Sequence, residues 1–447
     1  MAKAGADANF ALNCPPMRNL VAFAALAALA QAPHAESIEW SNGRWFDGTR
    51  FVAGTRWSVD GVFAAKRPAK PDRRVNLDAK FVTPAFGDAH HHGIDSIEAL
   101  DEKIAAFLEA GIFYVKNPNV IPDLLTPAVR AKLDGPQSID VVFANGGLTA
   151  TGGHPAPLHE YLASIGVFPG LRPRDMRDRA YFFVDSEADL EAAWPRILEG
   201  KPDFIKTFLL FSEEFEKRRD APKAHKGLDP KLLPAIVRKA HAAGLRVSTH
   251  IDTATDFRHA VDAGVDEINH LPQADPRFSP DLSAYVIDAA TARRAAARGI
   301  VVVTTASTTE RLSGKGLDAN WVKASRANQA ANIRALREAG VALAIGSDGI
   351  SGETVFATAR DEVKFLAANG MLDNTTLLRL WSRETPRTIF PGRRLGELRA
   401  GFEANFLVFA GNPVQDLANI ERIVMRVKRG LVLPPMAPVV LRRVKPD

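Results

Sequence analysis

Residues 239–272 read KAHAAGLRVSTHIDTATDFRHAVDAGVDEINHLP, and the fold is decided there. An amphipathic, alanine-rich run ends in Ala-Gly, an apolar strand follows and stops at a histidine, and the same order then repeats. Glycine just past a helix accepts the left-handed backbone that turns the chain into the next element. Outward from this stretch, the same join recurs at AAFLEAGIFYV (105–115), AAARGIVVV (295–303) and ALREAGVAL (335–343). Eight apolar runs read as strands: VTPAFGDAH (82–90), IFYVKNP (112–118), IDVVFANGG (139–147), DFIKTFLL (203–210), LRVSTHI (245–251), VDEINHL (265–271), IVVVTTAS (300–307) and VALAIGSD (341–348). Strands alternating with helices predict a parallel sheet, and eight such units over residues 84–392 predict a (β/α)8 TIM-like barrel. An open doubly wound sheet would need a glycine-rich phosphate loop after the first strand. None follows residues 82–90.

The flanks read differently. Residues 36–83, with WSNGRWFDG and FVAGTRWSVDGVFAA, and residues 393–441, with GELRAGFEANFLVFAGNP and IERIVMRVKRGLVL, show short apolar runs broken by Asn-Gly, Asp-Gly and Asn-Pro turns. Neither has strands enough to bury a core alone, so the two ends together predict a small β-sandwich. Ahead of them, Met17-Arg18-Asn19 leads into LVAFAALAALAQA (20–32) and small residues. That order describes a secretory signal over residues 1–35, with Met17 as an alternative start and cleavage near Ala30 or after Ala35. The run is shorter than the roughly 20 residues that span a bilayer. The expected location is periplasmic or secreted, with no membrane span.

With 447 residues, 46% hydrophobic, 24% charged and a net charge of +5, the chain has an ordinary globular composition. No Lys/Arg run with interleaved aromatics suggests nucleic acid. The sole cysteine, Cys14, precedes the apolar segment. A chain processed there has no thiolate to bind metal and no disulfide. Oligomeric state is not legible.

In a barrel, chemistry gathers at the C-terminal strand ends. Those ends carry His90 and His92 on the first strand, Lys206 on the fourth, His250 on the fifth, His270 on the sixth and Asp348 on the eighth. Residues i and i+2 of a strand point the same way, so His90 and His92 share the mouth while His91 turns away. Each residue alone has a structural explanation. Six ionisable groups on five strand ends are harder to dismiss, because none fills a buried position without a partner. His154, in the loop after the third strand, is either a substrate contact or a turn residue. Specificity is expected in the loops 146–179, 211–230 and 307–327, where Arg218, Arg219, Lys226, Arg311 and Lys315 either hold a carboxylate or keep the loops soluble.

The whole pattern resembles the amidohydrolase superfamily. VTPAFGDAHHH (82–92) is similar to that family's first-strand motif Pro-Gly-Phe-Ile-Asp-x-His-x-His, with Ala85 in place of a glycine. VDEINH and LAIGSD resemble its sixth- and eighth-strand motifs, and LGELRAGFEANFLVF its return into the sandwich, with Asn405 where aspartate is common. GGLTATGGH (146–154) and DFIKTF look most like the imidazolonepropionase-related branch that includes Xaa-Pro-dipeptidase-like enzymes. The resemblance implies two divalent metal ions, one on His90 and His92 and one on His250 and His270. It implies Lys206 as an N-carboxylated bridge and Asp348 beside the first metal.

The chemistry agrees. Imidazole and carboxylate donors suit Zn²⁺. A cationic lysine would repel metals, but a buried amine loses its proton and can take up CO2 as a carbamate. Two cations sharing a water generate hydroxide near neutral pH, and Asp348 can pass its proton to a leaving amine. The expected reaction is hydrolysis of an amide, cyclic amide or ester in a small molecule such as an N-acyl amino acid or dipeptide. Two other readings stay open: a mononuclear deaminase, for which only Glu267 offers the proton-shuttling glutamate, and a non-catalytic binding protein on the same barrel.

Overall fold

The computed structural model describes residues 36–168, 170–221, 225–308, 318–349 and 357–436. The signal-like segment 1–35 lies outside them, as do Arg311, Lys315 and the end of the predicted sandwich after residue 436. Among the described residues no helix is long and apolar enough to cross a membrane.

Both chain ends enter one hydrogen-bonded sheet of eight strands. From the first end come β1 (Ser37–Phe46), β2 (Phe51–Val59), β3 (Val62–Ala64), β4 (Arg73–Asn76) and β5 (Phe81–Pro84). Residues Phe406–Phe409, Ile423–Lys428 and Leu431–Val432 supply the other three strands. The joint is β5, which runs parallel to β1 and antiparallel to Phe406–Phe409, with Phe406 opposite Pro84 and Phe409 opposite Phe81. Alternation along the joint serves two cores. Val82, Phe406 and Val408 pack with Trp40, Trp45 and Phe63, and the Trp40 and Phe406 rings meet edge to face at 4.9 Å. Phe81, Leu407 and Phe409 face the larger core of the parallel strands.

The middle of the chain forms ten parallel strands in two sheets. The first holds β6 (Phe86–Asp88), β7 (Ile112–Asn117) and β8 (Asp140–Phe143). The second contains β9 (Gly147–Thr149), β10 (Tyr181–Phe183), β11 (Phe204–Phe208), β12 (Arg246–His250), β13 (Glu267–Asn269), β14 (Val301–Val303) and β15 (Ala342–Ala344), in the order β10-β9-β11-β12-β13-β14-β15. The three strands of the C-terminal end are then β16, β17 and β18. Single parallel bridges link the two parallel sheets at Ala144–Phe204 and at His91–Gly349. The arrangement is α/β and TIM-like.

The helix between β12 and β13 ends at the glycine that the sequence predicts. Thr253 caps Ala254–Ala263 in a box with Asp256, and Gly264 ends that helix at φ 79°. Two expectations change. The strand read across 82–90 breaks at Ala85 into β5 of the eight-stranded sheet and β6 of the parallel strands. The strand read across 139–147 breaks into β8 and β9, and the predicted loop 146–179 contains β9 and the helix Ala156–Ser164. The break falls at Gly146, where a Cβ would lie 2.3 Å from the Arg179 carbonyl oxygen, so only glycine permits the crossing.

Trp381 fastens β6 from below. Its ring stacks on Phe86 at 3.6 Å, and its Nε1 donates to the Gly87 carbonyl at 3.0 Å.

Candidate metal centre

Five of the six strand-end residues converge through rings or side-chain atoms, and the sixth, Lys206, is coupled to them by charge. His90 Nε2 lies 3.2 Å from His92 Nε2, and Asp348 Oδ1 lies 3.3 Å and 3.4 Å from those two nitrogens. The His270 ring stands between two neighbours, 4.7 Å from His90 and 4.5 Å from His250. His90, His270 and Asp348 each offer a ligand atom within 4.8 Å of the others. Imidazole nitrogens converging with a carboxylate form a donor set that fits a first-row divalent metal.

Two of the imidazoles are held by their second nitrogens, while His90 Nδ1 is buried without a hydrogen-bond partner. His270 Nδ1 is 2.7 Å from Thr305 Oγ1, leaving Nε2 for the centre. His250 Nε2 is 3.1 Å from Asp252 Oδ1, leaving Nδ1. Such outer partners fix ring orientation and basicity at metal sites. Burial and neighbouring positive charge keep His90 neutral, pushing it down to about 3, and burial and His250 likewise depress His270. Burial alone would raise Asp348, but hydrogen bonds from His90 and His92 hold it well below its usual value.

Three residues just past strand ends occupy left-handed backbone: His270 at φ 77°, Thr305 at φ 42° and Asp348 at φ 49°. Each costs of order 1–3 kcal/mol for a residue that is not glycine, so packing around the mouth must impose it. Asp88 supplies part of that packing. Its carboxylate accepts from Ser347 N at 3.0 Å, Ser347 Oγ at 2.7 Å, Ala359 N at 2.9 Å and His90 N at 3.3 Å, tying β6 to the end of β15.

Lys206 is buried on β11 and donates to a neutral amide, Asn269 Oδ1, at 2.5 Å. The nearby carboxylate, Glu267, is engaged elsewhere: it accepts from Lys116 at 2.6 Å, Ser248 Oγ at 2.9 Å and Asn269 Nδ2 at 2.9 Å. Burial draws the Lys206 amine down to about 7, only partly countered by Asp348 and Glu267. A buried lysine whose hydrogen bond goes to an amide is suited to the neutral form.

The remaining histidines divide. His91 is buried away from the mouth, edge-on to Phe107 at 4.9 Å. His241 pairs with Asp266 on the surface at 2.9 Å. His154 stands at the mouth, 5.4 Å from the His250 ring and 5.3 Å from Phe208. Sequence reasoning missed His225 and Asp252. Asp252 links His250 to His225 through its second oxygen at 2.8 Å, and His225 stacks on Phe278 at 4.0 Å. The signal for Asp252 was present, since it follows His250 by two residues. His225 lies in a loop and had none. Arg218 and Lys226 are absorbed by their own loop, Arg218 on Glu214 and the His225 carbonyl, Lys226 on the Arg219 carbonyl.

Fold and site together describe an α/β, TIM-like scaffold with a His-His-Asp group that could hold a metal ion, and comparison with known proteins gives its family. The amidohydrolase family model matches residues 81–433, and the chain belongs to that family. Among curated proteins, ochratoxinase of Aspergillus niger is 25% identical over 289 residues, covering 62% of this chain. The match spans 56% of that relative's length. The solved structure of A. niger ochratoxinase superposes with a TM-score of 0.68 at 18% identity, over 89% of this chain and 96% of that one. An Xaa-Pro dipeptidase with bound methionine gives 0.67 at 18%, over 90% and 100%, and a prolidase complexed with N-methylphosphonate-L-proline gives 0.67 at 19%, over 89% and 99%. At those identities the structures share the fold.

Proposed function

We propose that this protein is a binuclear metallohydrolase that cleaves an amide, cyclic amide or ester bond in a small molecule, the carbon–nitrogen bond of an N-acyl amino acid or dipeptide being the favoured target. The observation that carries the reading is the convergence of His90, His92 and Asp348 on one point, with His270 beside them and His250 next in line. His90, His92 and Asp348 would hold one ion and His250 and His270 the other, Zn²⁺ being the ion these donors suit. Lys206, carboxylated by CO2, would bridge them. When bound, the ions supply an activated water near neutral pH and polarise the substrate carbonyl. Asp348 accepts the proton released at attack and delivers it to the leaving nitrogen. His154 contacts the substrate from the rim.

The architecture in this proposal is a closed (β/α)8 barrel over residues 84–392, supported by the bridges at Ala144–Phe204 and His91–Gly349, with residues 36–83 and 393–441 as a β-sandwich. Export follows from residues 1–35 as a signal, which places the enzyme in the periplasm or outside the cell. A mature N-terminus between about Gln31 and Glu36, read by mass spectrometry from the native host, tests that.

The mononuclear deaminase is the weaker reading, because Glu267 is held as the ion-pair partner of buried Lys116 at 2.6 Å, its Oε1 also accepting from Ser248 and Asn269. Zinc-loaded protein should carry close to two ions per chain by elemental analysis and turn over at least one of a panel of N-acyl amino acids, dipeptides and lactones. Activity that saturates at one ion, with amine release from a ring carbon, would favour the deaminase.

A further inference from the structure

A second site lies apart from the metal centre, and nothing in the proposed hydrolysis requires it. A cavity of about 410 Å³ opens between β1, β2 and the segments carrying Ser382–Arg383 and Gly396–Arg399. Phe46, Val52 and Leu398 give it an apolar wall, and Arg56, Arg383 and Arg399 give it a cationic one.

The arginines are short of partners. Glu397 is shared by Arg383 at 3.1 Å and by Arg387 and Arg399. Asp47 is engaged by Arg50 at 3.7 Å, and Glu384 stands 3.6 Å from Arg383. Arg56 meets only carbonyl oxygens, Leu398 at 3.1 Å and Thr55 at 3.1 Å, and the face of Trp45 at 5.5 Å; among the described residues no carboxylate pairs with it. The Arg383 Nε is buried without a hydrogen-bond partner. Three arginines (56, 383 and 399) and two carboxylates (Asp47 and Glu397) line this half-sheltered hollow. The lining keeps a net positive charge, carried by the Arg56 that no carboxylate answers, and guanidinium forks match phosphate oxygens.

We propose that this cavity binds a small phosphate monoester, its phosphate group held by Arg56 and Arg383 and its organic part against Val52 and Leu398. Its size is that of a small-molecule site.

Isothermal titration of the full-length, metal-loaded protein with phenyl phosphate, against chloride at matched ionic strength, tests the assignment. One saturable site is expected. Arg56→Met and Val52→Trp, which break no ion pair, should each weaken it about tenfold or more while amide turnover stays unchanged. Arg383→Met should do the same if it folds. Absence of saturable binding overturns the proposal. So does binding that survives both Arg56→Met and Val52→Trp but falls with His270→Ala, since the phosphate would then sit on the metals.

Discussion

At the seam between the eight-stranded sheet and the parallel strands, buried Asp140 accepts from Lys428 at 2.6 Å and Arg393 at 2.7 Å, with Arg429 at 3.4 Å. Lys428 turns its remaining hydrogens to carbonyls, Gly135 among them at 2.9 Å. At the strand ends the buried groups behave otherwise. His90 faces His92 nitrogen to nitrogen, Asp348 serves both, and Lys206 has an amide for a partner. The seam is a completed network whose purpose is to hold two parts together. The mouth is a set of donors that the proposed cations would complete. Burial of charge alone therefore distinguishes nothing; what separates site from scaffold is whether the charges answer one another.

The sharpest break is between activity and stability. Asp348→Asn should lower turnover by about 10²- to 10⁴-fold while leaving the unfolding midpoint of the metal-free protein unchanged or raised. If that variant unfolds instead, the mouth is scaffold too. Asp140→Asn should do the reverse. Leaving Lys428 and Arg393 without their carboxylate costs about 3–5 kcal/mol in denaturant unfolding, while the folded fraction keeps its metal stoichiometry.

Glu267 stands between the two cases, since Lys116, Ser248 and Asn269 all bond its Oε1 while its Oε2 is buried without a hydrogen-bond partner. Burial raises its carboxyl, but Lys116 and Arg246 outweigh that and hold it down to about 2. A carboxyl held below its unfolded value, near 4.5, stabilises the protein above that value and loses its contribution as pH falls towards 2. Glu267→Gln should therefore cost at most ~3 kcal/mol at pH 7, and the gap from the wild type should close between about pH 4.5 and 2. A gap independent of pH would remove the charge from the account. The smallest effect concerns orientation. Thr305→Val takes the hydrogen bond from His270 Nδ1 and should weaken metal binding roughly 10- to 100-fold in chelator competition, with activity recovered at saturating metal. Unchanged affinity would show that packing alone aims the ring.

Residues on strand ends were legible in the sequence because strand periodicity and barrel polarity assign their direction. His90, His92, His250, His270 and Asp348 follow from those two rules, whereas Lys206 stands in the middle of β11. What holds them was not. Thr305 and Asn269 are unremarkable in sequence, and they act only because neighbouring strands set Thr305 against His270 and Asn269 against Lys206. His225 arrives through a loop, where no periodicity speaks. The hairpin turns announced the flanking strands, but β5 as the joint of a single sheet depends on a long-range pairing that local pattern does not encode.

That joint has a consequence in time. During synthesis Phe81–Pro84 emerges with the early strands, whereas Phe406–Phe409, its partner in the middle of the sheet, is among the last segments made. Until then β5 lacks its neighbour on one side and the early strands show an open edge, the exposure that invites mispairing. Non-local pairing of this kind also slows folding. A nascent chain stalled before Phe406 would thus lack not a decorative tail but the strand beside β5, and a frameshift or nick removing only the last strands should yield insoluble protein even with every metal-site residue present.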